Sequence, residues 1–453
     1  MSEQKDSEKL FISTKPVRLF FKASIPGAIG MLASSTYYLT ETIFVGRMLG
    51  EDAFAGLNLA MPFILIAFAL ADLVGVGSSV PISIKLGQGK GEEANKVFSL
   101  AVVLIFLFGL LSGVFFYIAA PFIFHAMGAD PVIAEQATEY MRVYAIFAPF
   151  ASMSFAFDNY TRISGKINRS MGVNIFMSVM CFTFQLIFLV LMRLPIAFAA
   201  LASSLGMLIT TSIYMYPFIR GKMLLHFRRP EFNMHMIKVI IANGIPSFLS
   251  NMSGRIVSIV MNAALLAVGG ATAVSIYGIL MSIDGLVLPT MYGLCDSLQP
   301  AVGYNWGAGR KDRVRAIERC CYTASITLCM IAFLVLILFP EGTASLFVSE
   351  SEAIIRGAHM AIIIFAFNYL IRWLNFSTQS FSASIGRPLY ATMISLSQAF
   401  VFPLVFILTL YPLGQNGLLA NITASTFATA VVAAIILTRL MRIVSDKSRE
   451  GAN

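Results

Sequence analysis

The chain has 453 residues, of which 58% are hydrophobic and only 12% charged, with a formal net charge of +9 and a mean hydropathy of +0.80. Soluble domains carry about 25% charged residues, so this composition excludes a soluble or disordered chain and points to a polytopic membrane protein. The basic excess lies in short breaks between apolar runs, which reads as an orientation signal and argues against nucleic-acid binding.

A polar tail, residues 1–17, has no cleavable signal pattern. Apolar runs of about 20 residues or more, enough to cross the roughly 30 Å hydrocarbon layer as helices, then follow one another. In the first half they cover 18–46, 53–80, 97–126, 135–163, 170–192 and 195–219. A basic, polar connection at 220–237 separates them from a second set at 238–268, 273–302, 317–346, 352–384, 388–411 and 416–441. A short tail, 442–453, ends the chain. Barrel strands would be about 10 residues long and alternating, which these runs are not. The expected fold is all-α and integral to the membrane, with twelve transmembrane helices in two six-helix lobes, 18–219 and 238–441.

Charge tests that count. With the N-terminus inside, the inner segments hold 26 of the 32 Lys and Arg, including Lys85, Lys90, Arg310, Lys311, Arg439 and Arg442. Three lie outside (Arg47, Arg193, Arg356) and three within helices (Arg142, Arg255, Arg372). The outer loops, Glu51-Asp52 and Glu341 to Glu352, are neutral or acidic. Such a bias predicts that both termini are cytoplasmic.

The halves are copies. Leu86-Gly87-Gln88-Gly89-Lys90 returns 220 positions later as Trp306-Gly307-Ala308-Gly309-Arg310. The same offset aligns Ile25-Pro26 with Ile245-Pro246, Gly50 with Gly270 and Phe147 with Phe367. Six crossings per copy make the repeats parallel, an arrangement of transporters whose substrate space is expected between the lobes. The paired glycines suit a sharp helix stop and chain reversal. A phosphate-cradling loop would need wider glycine spacing followed by Lys-Ser/Thr.

Chemistry is expected at ionisable groups inside helices, because a carboxylate there costs about 2.5–3.5 kcal/mol even on the lenient insertion scale. Glu41, Asp72, Asp158, Asp284 and Asp296 qualify. Ser34, Tyr37, Tyr38 and Glu41 fall on one helical face, a polar stripe that should point toward protein. Glu41 lies about six residues, or roughly 9 Å, from the outer end of its helix. Asp158 and Arg162 form an i,i+4 pair. Arg255 and Asp284 are expected at one depth on neighbouring helices, where buried charges seek partners. Met261, Tyr277, Met281 and Met291 lie near those charges, with thioether and aromatic surfaces suited to varied flat cations. The five cysteines, Cys181, Cys295, Cys320, Cys321 and Cys329, have neither disulfide-framework nor zinc spacing, and His125, His226, His235 and His359 fall in loops or near helix ends.

In order and duplicated, these motifs resemble the multidrug and toxic compound extrusion (MATE) transporters, in the bacterial branch related to the DinF proteins. The resemblance covers nearly the whole chain. It is carried by Ser24-Ile25-Pro26, Glu41-Thr42-Ile43-Phe44-Val45-Gly46-Arg47, Gly75 to Ser79, Arg162 to Gly165 and, most specifically, Gln299 to Arg310. It implies a secondary antiporter of the bacterial plasma (inner) membrane, acting as a monomer without organic cofactor or enzymatic activity. Amphipathic, mainly cationic, small molecules would be exported against protons or sodium.

In the family, a helix 1 Asp takes up the coupling ion; Glu41 stands there, one methylene longer. An Asn and an Asp on helix 5 and a Thr on helix 6 fall on Cys181, Gln185 and Ser203, so the partner carboxylate is missing. That change favours a proton over sodium as coupling ion, with sodium at Glu41 the alternative. Asp296 matches a position that is often acidic or polar in the family. The rival function is a flippase for lipid-linked or amphipathic substrates. It would more often need a strongly cationic cavity, and only Arg255 and Arg372 lie deep within helices.

Overall fold

The computed structural model describes residues 9–346 and 352–445. The expected tail residues 1–8 and 446–453, part of the acidic Glu341 to Glu352 loop, and the Tyr38 and Arg356 side chains lie outside the described residues.

Helices make up most of the described residues, with the longest break between Ile219 and Met234. α1 (Pro16–Met48), α2 (Glu51–Gly87), α3 (Gly91–Ala126), α4 (Pro131–Ile163), α5 (Ile167–Gln185) and α6 (Ala197–Ile219) form the first set. Then come α7 (Met234–Cys295), α8 (Gln299–Gly307), α9 (Lys311–Leu338), α10 (Pro340–Ser345), α11 (Glu352–Ala366), α12 (Tyr369–Ser384), α13 (Pro388–Leu396), α14 (Phe402–Leu410) and α15 (Gly414–Ser445). Seven helical stretches are individually long and apolar enough to cross a bilayer, among them the merged runs Met234–Gly307 and Pro388–Ser445.

The twelve expected spans map onto these elements with shifted boundaries. α7 runs through two of them, bent at Gly270 with φ 64°. The expected span at 352–384 is broken between Ala366 and Tyr369, with a 47° bend. Widened π turns at Leu186–Leu191 and Ser397–Val401 interrupt the fifth span of each copy. Hydropathy reports where apolar residues run on and is blind to such bends, since they leave composition unchanged.

The glycine turns close identically in both copies. The Lys90 N–H donates to the Lys85 carbonyl and Gly89 to Leu86; Arg310 donates to Asn305 and Gly309 to Trp306. This is a Schellman closure, which needs a left-handed residue just past the helix end. Gly89 (φ 76°) and Gly309 (φ 71°) supply it. Gly87 and Gly307 end their helices in ordinary helical conformation, so only the second glycine of each pair carries the turn.

The chain divides into two compact units, residues 1–14 with 25–248, and residues 15–24 with 249–453. In the first, an apolar core gathers Leu57, Ile64, Phe116, Phe124, Met141 and Met177. In the second, it gathers Leu265, Ile276, Leu280, Phe365, Leu418 and Leu419. Large residues such as Leu111, Phe122 and Leu408 are exposed, as lipid contact requires.

Close helix approach rests on small residues, as is usual in membranes. A Cβ at Gly77 would overlap the Ile240 carbonyl oxygen, and one at Gly244 the carbonyl of Leu73. The basic connection straps onto α3. His226 and Arg228 donate their backbone N–H groups to Asn95 Oδ1 (2.9 Å) and Ser99 Oγ (2.8 Å). The Arg228 guanidinium takes both oxygens of Glu92, and Lys96 pairs with Glu231 at 2.6 Å. Met223 and Leu225, within the strap, are buried.

Candidate functional site

Glu41 projects from α1 into the first unit and is 1% exposed. Tyr140 of α4 donates its hydroxyl to Oε1 at 2.8 Å, and Ser203 of α6 donates to Oε2 at 3.0 Å. Gln185, the last residue of α5 before its π turn, donates its amide to Ser203 Oγ at 3.1 Å. Its own Oε1 is buried without a partner among the described residues. The approach of α5 to α6 depends on Gly206, whose missing side chain leaves room for the Cys181 sulfur. Cys181 is thereby held 3.8 Å from the Ser203 carbonyl.

The fold therefore brings Glu41, Gln185 and Ser203 into one network, with Tyr37 buried on the same helix one turn away. Among the described residues no ion pair reaches Glu41. A carboxyl in such a place has two hydroxyl donors and no fixed countercharge, so it is accommodated either as the neutral acid or with a cation bound beside it. Tyr140 was invisible to spacing arguments: it sits 99 residues from Glu41 in a helix whose periodicity gives it no distinction.

Asp158 belongs to a separate and fully partnered cluster. Arg162 Nη2 reaches it at 2.6 Å, Tyr214 and Asn174 donate at 2.8 and 3.0 Å, and Ser170 also donates. The three hydrogen bonds converge on Oδ1 and the guanidinium contact falls on Oδ2, so both oxygens are engaged, as a structural ion pair demands. Asp296, the first residue after α7 in the short turn before α8, accepts from Gln299 (2.7 Å) and Ser380 (2.8 Å).

The expected pairing of Arg255 with Asp284 is not formed. Arg255 is exposed on the outer face of α7, and Asp284 is held by Arg372 of α12. The guanidinium donates to both carboxylate oxygens, at 2.7 and 2.9 Å, and Tyr369 adds a third donor at 3.2 Å. Depth along the chain fixed the level of Asp284 but not the face on which each arginine stands, and Arg255 falls on the wrong one.

That ion pair lines a cavity of about 230 Å³ within the second unit. Met261, Tyr277 and Met281 contribute to its wall as expected from their positions, while Met291 lies outside it, buried against Cys329. Tyr292 and Phe376 meet edge to face, 4.7 Å between centroids, on another side. Gln398 and Asn421 add neutral polar atoms. The wall is thus apolar and aromatic with a self-neutralised charge pair. No cluster of metal-ligating side chains occurs among the described residues.

Comparison with known proteins identifies the family and agrees with this fold. The MatE family model matches residues 26–187 and again 246–409. Multidrug export protein MepA of Staphylococcus aureus (strain N315) is 24% identical, over 98% of this chain and 99% of its own. MepA of Staphylococcus saprophyticus is 23% identical over 94% of each. Among solved structures, an outward-facing multidrug resistance MATE family transporter of the MOP superfamily superposes with a TM-score of 0.91, at 21% identity and covering 98% and 99% of the two chains. A MOP superfamily transporter from Pyrococcus furiosus gives 0.90 at 22% identity with the same coverage.

Proposed function

We propose, from the premise that this chain belongs to the MatE family of multi-pass membrane transporters, that it is a proton-coupled antiporter exporting amphipathic, mainly cationic, organic molecules by alternating access. The observation that carries the coupling is Glu41: a buried carboxyl with two hydroxyl donors and no fixed cation. Binding a proton there removes the charge and with it the need for Tyr140 and Ser203 to donate, so the hydrogen bonds that tie α1 to α4 and α6 change with protonation. Ligand-dependent hydrogen bonds of this kind are what differential affinity for two conformations requires.

The export of drugs by the MepA proteins, named for that activity, supports the substrate class. So does the second unit's cavity, where Tyr277, Tyr292 and Phe376 offer aromatic faces and Met261 and Met281 adaptable thioethers. A flippase for phosphate-bearing lipids is disfavoured by the same cavity, because its one arginine, Arg372, is already neutralised by Asp284. The protein is read as working without cofactor and as a monomer, in the plasma membrane with both termini cytoplasmic.

The test is transport in liposomes under separately imposed proton and sodium gradients. A proton gradient should drive wild-type efflux, and Glu41→Gln should abolish gradient-driven exchange while leaving substrate binding within a few fold. Wild-type rates in the Gln variant would overturn the assignment of Glu41, and drive by sodium alone would replace the proton.

A further inference from the structure

We propose that Glu318 is a second proton-binding site, built into the second unit near the glycine-turn end of α9; its use in transport rests on the proton-antiport reading above. Glu318 is seven residues beyond Lys311, the first residue of α9, or roughly 10 Å along the helix. It is 4% exposed, and its Oε2 has no hydrogen-bond partner among the described residues. On the same helix Arg313 donates to Asn305 Oδ1, Arg315 pairs with Asp312, and Arg319 is exposed.

The titratable groups facing Glu318 are Cys295 from the end of α7 and, from its own helix, Cys321 and Tyr322. Asp296 lies beyond Cys321. None of these is a cation. Taking a carboxylate out of water costs several kcal/mol even after relaxation, and here no charge or donor offsets it. The neutral acid, O–H intact, is the form this environment holds. Ionisation requires water to reach Oε2 and accept the proton, so on the alternating-access reading the proton is released only in the state that admits water to this end of the helix.

The internal duplication supplies a control. At the offset of 220 positions Glu318 corresponds to Phe98. Phe98 packs among Tyr160, Phe218 and Phe157, at centroid distances of 5.0, 5.4 and 6.1 Å. The helical scaffold at this position is therefore filled by an aromatic cluster in one copy, so packing alone does not call for a carboxyl in the other. Around Glu318 the second copy has groups with exchangeable hydrogens instead. Cys295 lies 3.3 Å from Ser325 Oγ, and the Tyr322 hydroxyl 2.8 Å from Thr378 Oγ1. Asp296 accepts from Ser380, the residue at the position of Tyr160. At the same offset the aromatics Phe98, Phe157, Tyr160 and Phe218 become Glu318, Ser377, Ser380 and Thr438, so a carboxyl and hydroxyls stand where the first copy packs rings, which is the composition of a proton site and not of a filler.

Infrared difference spectroscopy on the protein in liposomes tests this directly. Wild type at neutral pH should show a carboxylic-acid C=O band that persists in Glu41→Gln, disappears in Glu318→Gln and weakens when substrate is added. The proton-to-substrate ratio, from reversal potentials, should fall by one in Glu318→Gln and recover in Glu318→Asp, a rescue that also separates lost protonation from lost folding. A spectrum unchanged by Glu318→Gln, or a band indifferent to substrate with an unchanged ratio, overturns the site. If wild-type transport ignores proton gradients, the antiport reading fails by itself, and the Glu318 band still decides whether this acid binds a proton.

Discussion

Removing Arg372 leaves the Asp284 carboxylate facing the cavity with only the Tyr369 hydroxyl to solvate it. Both partners are mostly buried, with side chains 16% and 13% exposed for Asp284 and Arg372, and breaking one side of such a pair costs about 3–5 kcal/mol. Arg372→Ala should therefore lower the unfolding temperature in detergent clearly, whereas the double change Asp284→Asn with Arg372→Gln should recover much of the loss because no lone charge remains. Equal destabilisation by the single and double variants would show that Arg372 matters for packing alone. The same residue marks where sequence reading stopped. Glu41 was legible because a charge inside an apolar run stands out, and Gln185 and Ser203 through the family pattern. Arg372 and Tyr140 were not assigned, since their roles depend on which helix faces which. Glu318 escaped for a different reason: about two turns inside a basic helix start, it reads as a solvated surface charge until its burial is seen.

At the level of elements, small residues decide how closely the helices meet. α7 crosses α2 with glycine on both sides, and Gly244→Ala would drive its Cβ into the Leu73 carbonyl. Backbone cannot yield as a side-chain tip can, so this variant is expected to lose most folded protein in fluorescence size-exclusion, whereas Gly254→Ala, which has open space around it, should not. The turn glycines separate in a similar way. Gly89→Ala forces a left-handed alanine at a cost of about 1–2 kcal/mol, while Gly87→Ala, at a helical position, should be near neutral by thermal melting. A comparable loss at both positions would contradict the Schellman assignment. The sequence pointed to the turns correctly but credited both glycines, because spacing does not reveal which residue takes the positive φ. The polar and basic composition of the cytoplasmic linker at 220–237 likewise does not disclose that Asn95 and Ser99 on α3 receive its backbone.

Across the whole molecule, the duplicated register made the twelve-span, two-lobe plan readable, and the division of the chemistry followed only from the coordinates. One copy carries Glu41 with its hydroxyl donors; the other carries the Asp284–Arg372 cavity and Glu318. The same parallel scaffold thus hosts two unlike polar interiors, each against its own apolar core. The unit boundaries add a feature of covalent connectivity. They fall at 24/25 and 248/249, beside Ile25-Pro26 and Ile245-Pro246. Residues 15–24 belong with the second unit, where the Ser24 hydroxyl donates to the Leu294 carbonyl at 3.0 Å, and residues 238–248 belong with the first. The two copies are consequently interlaced and not merely strung together: each lends the opening of its first helix to the other's fold. A gene cut within the linker would yield two fragments, each lacking a piece of its own unit and holding a piece of its neighbour's. Such fragments should accumulate only when co-expressed and should copurify through a tag on either one; stable, separately purified halves would show that the exchanged segments are dispensable.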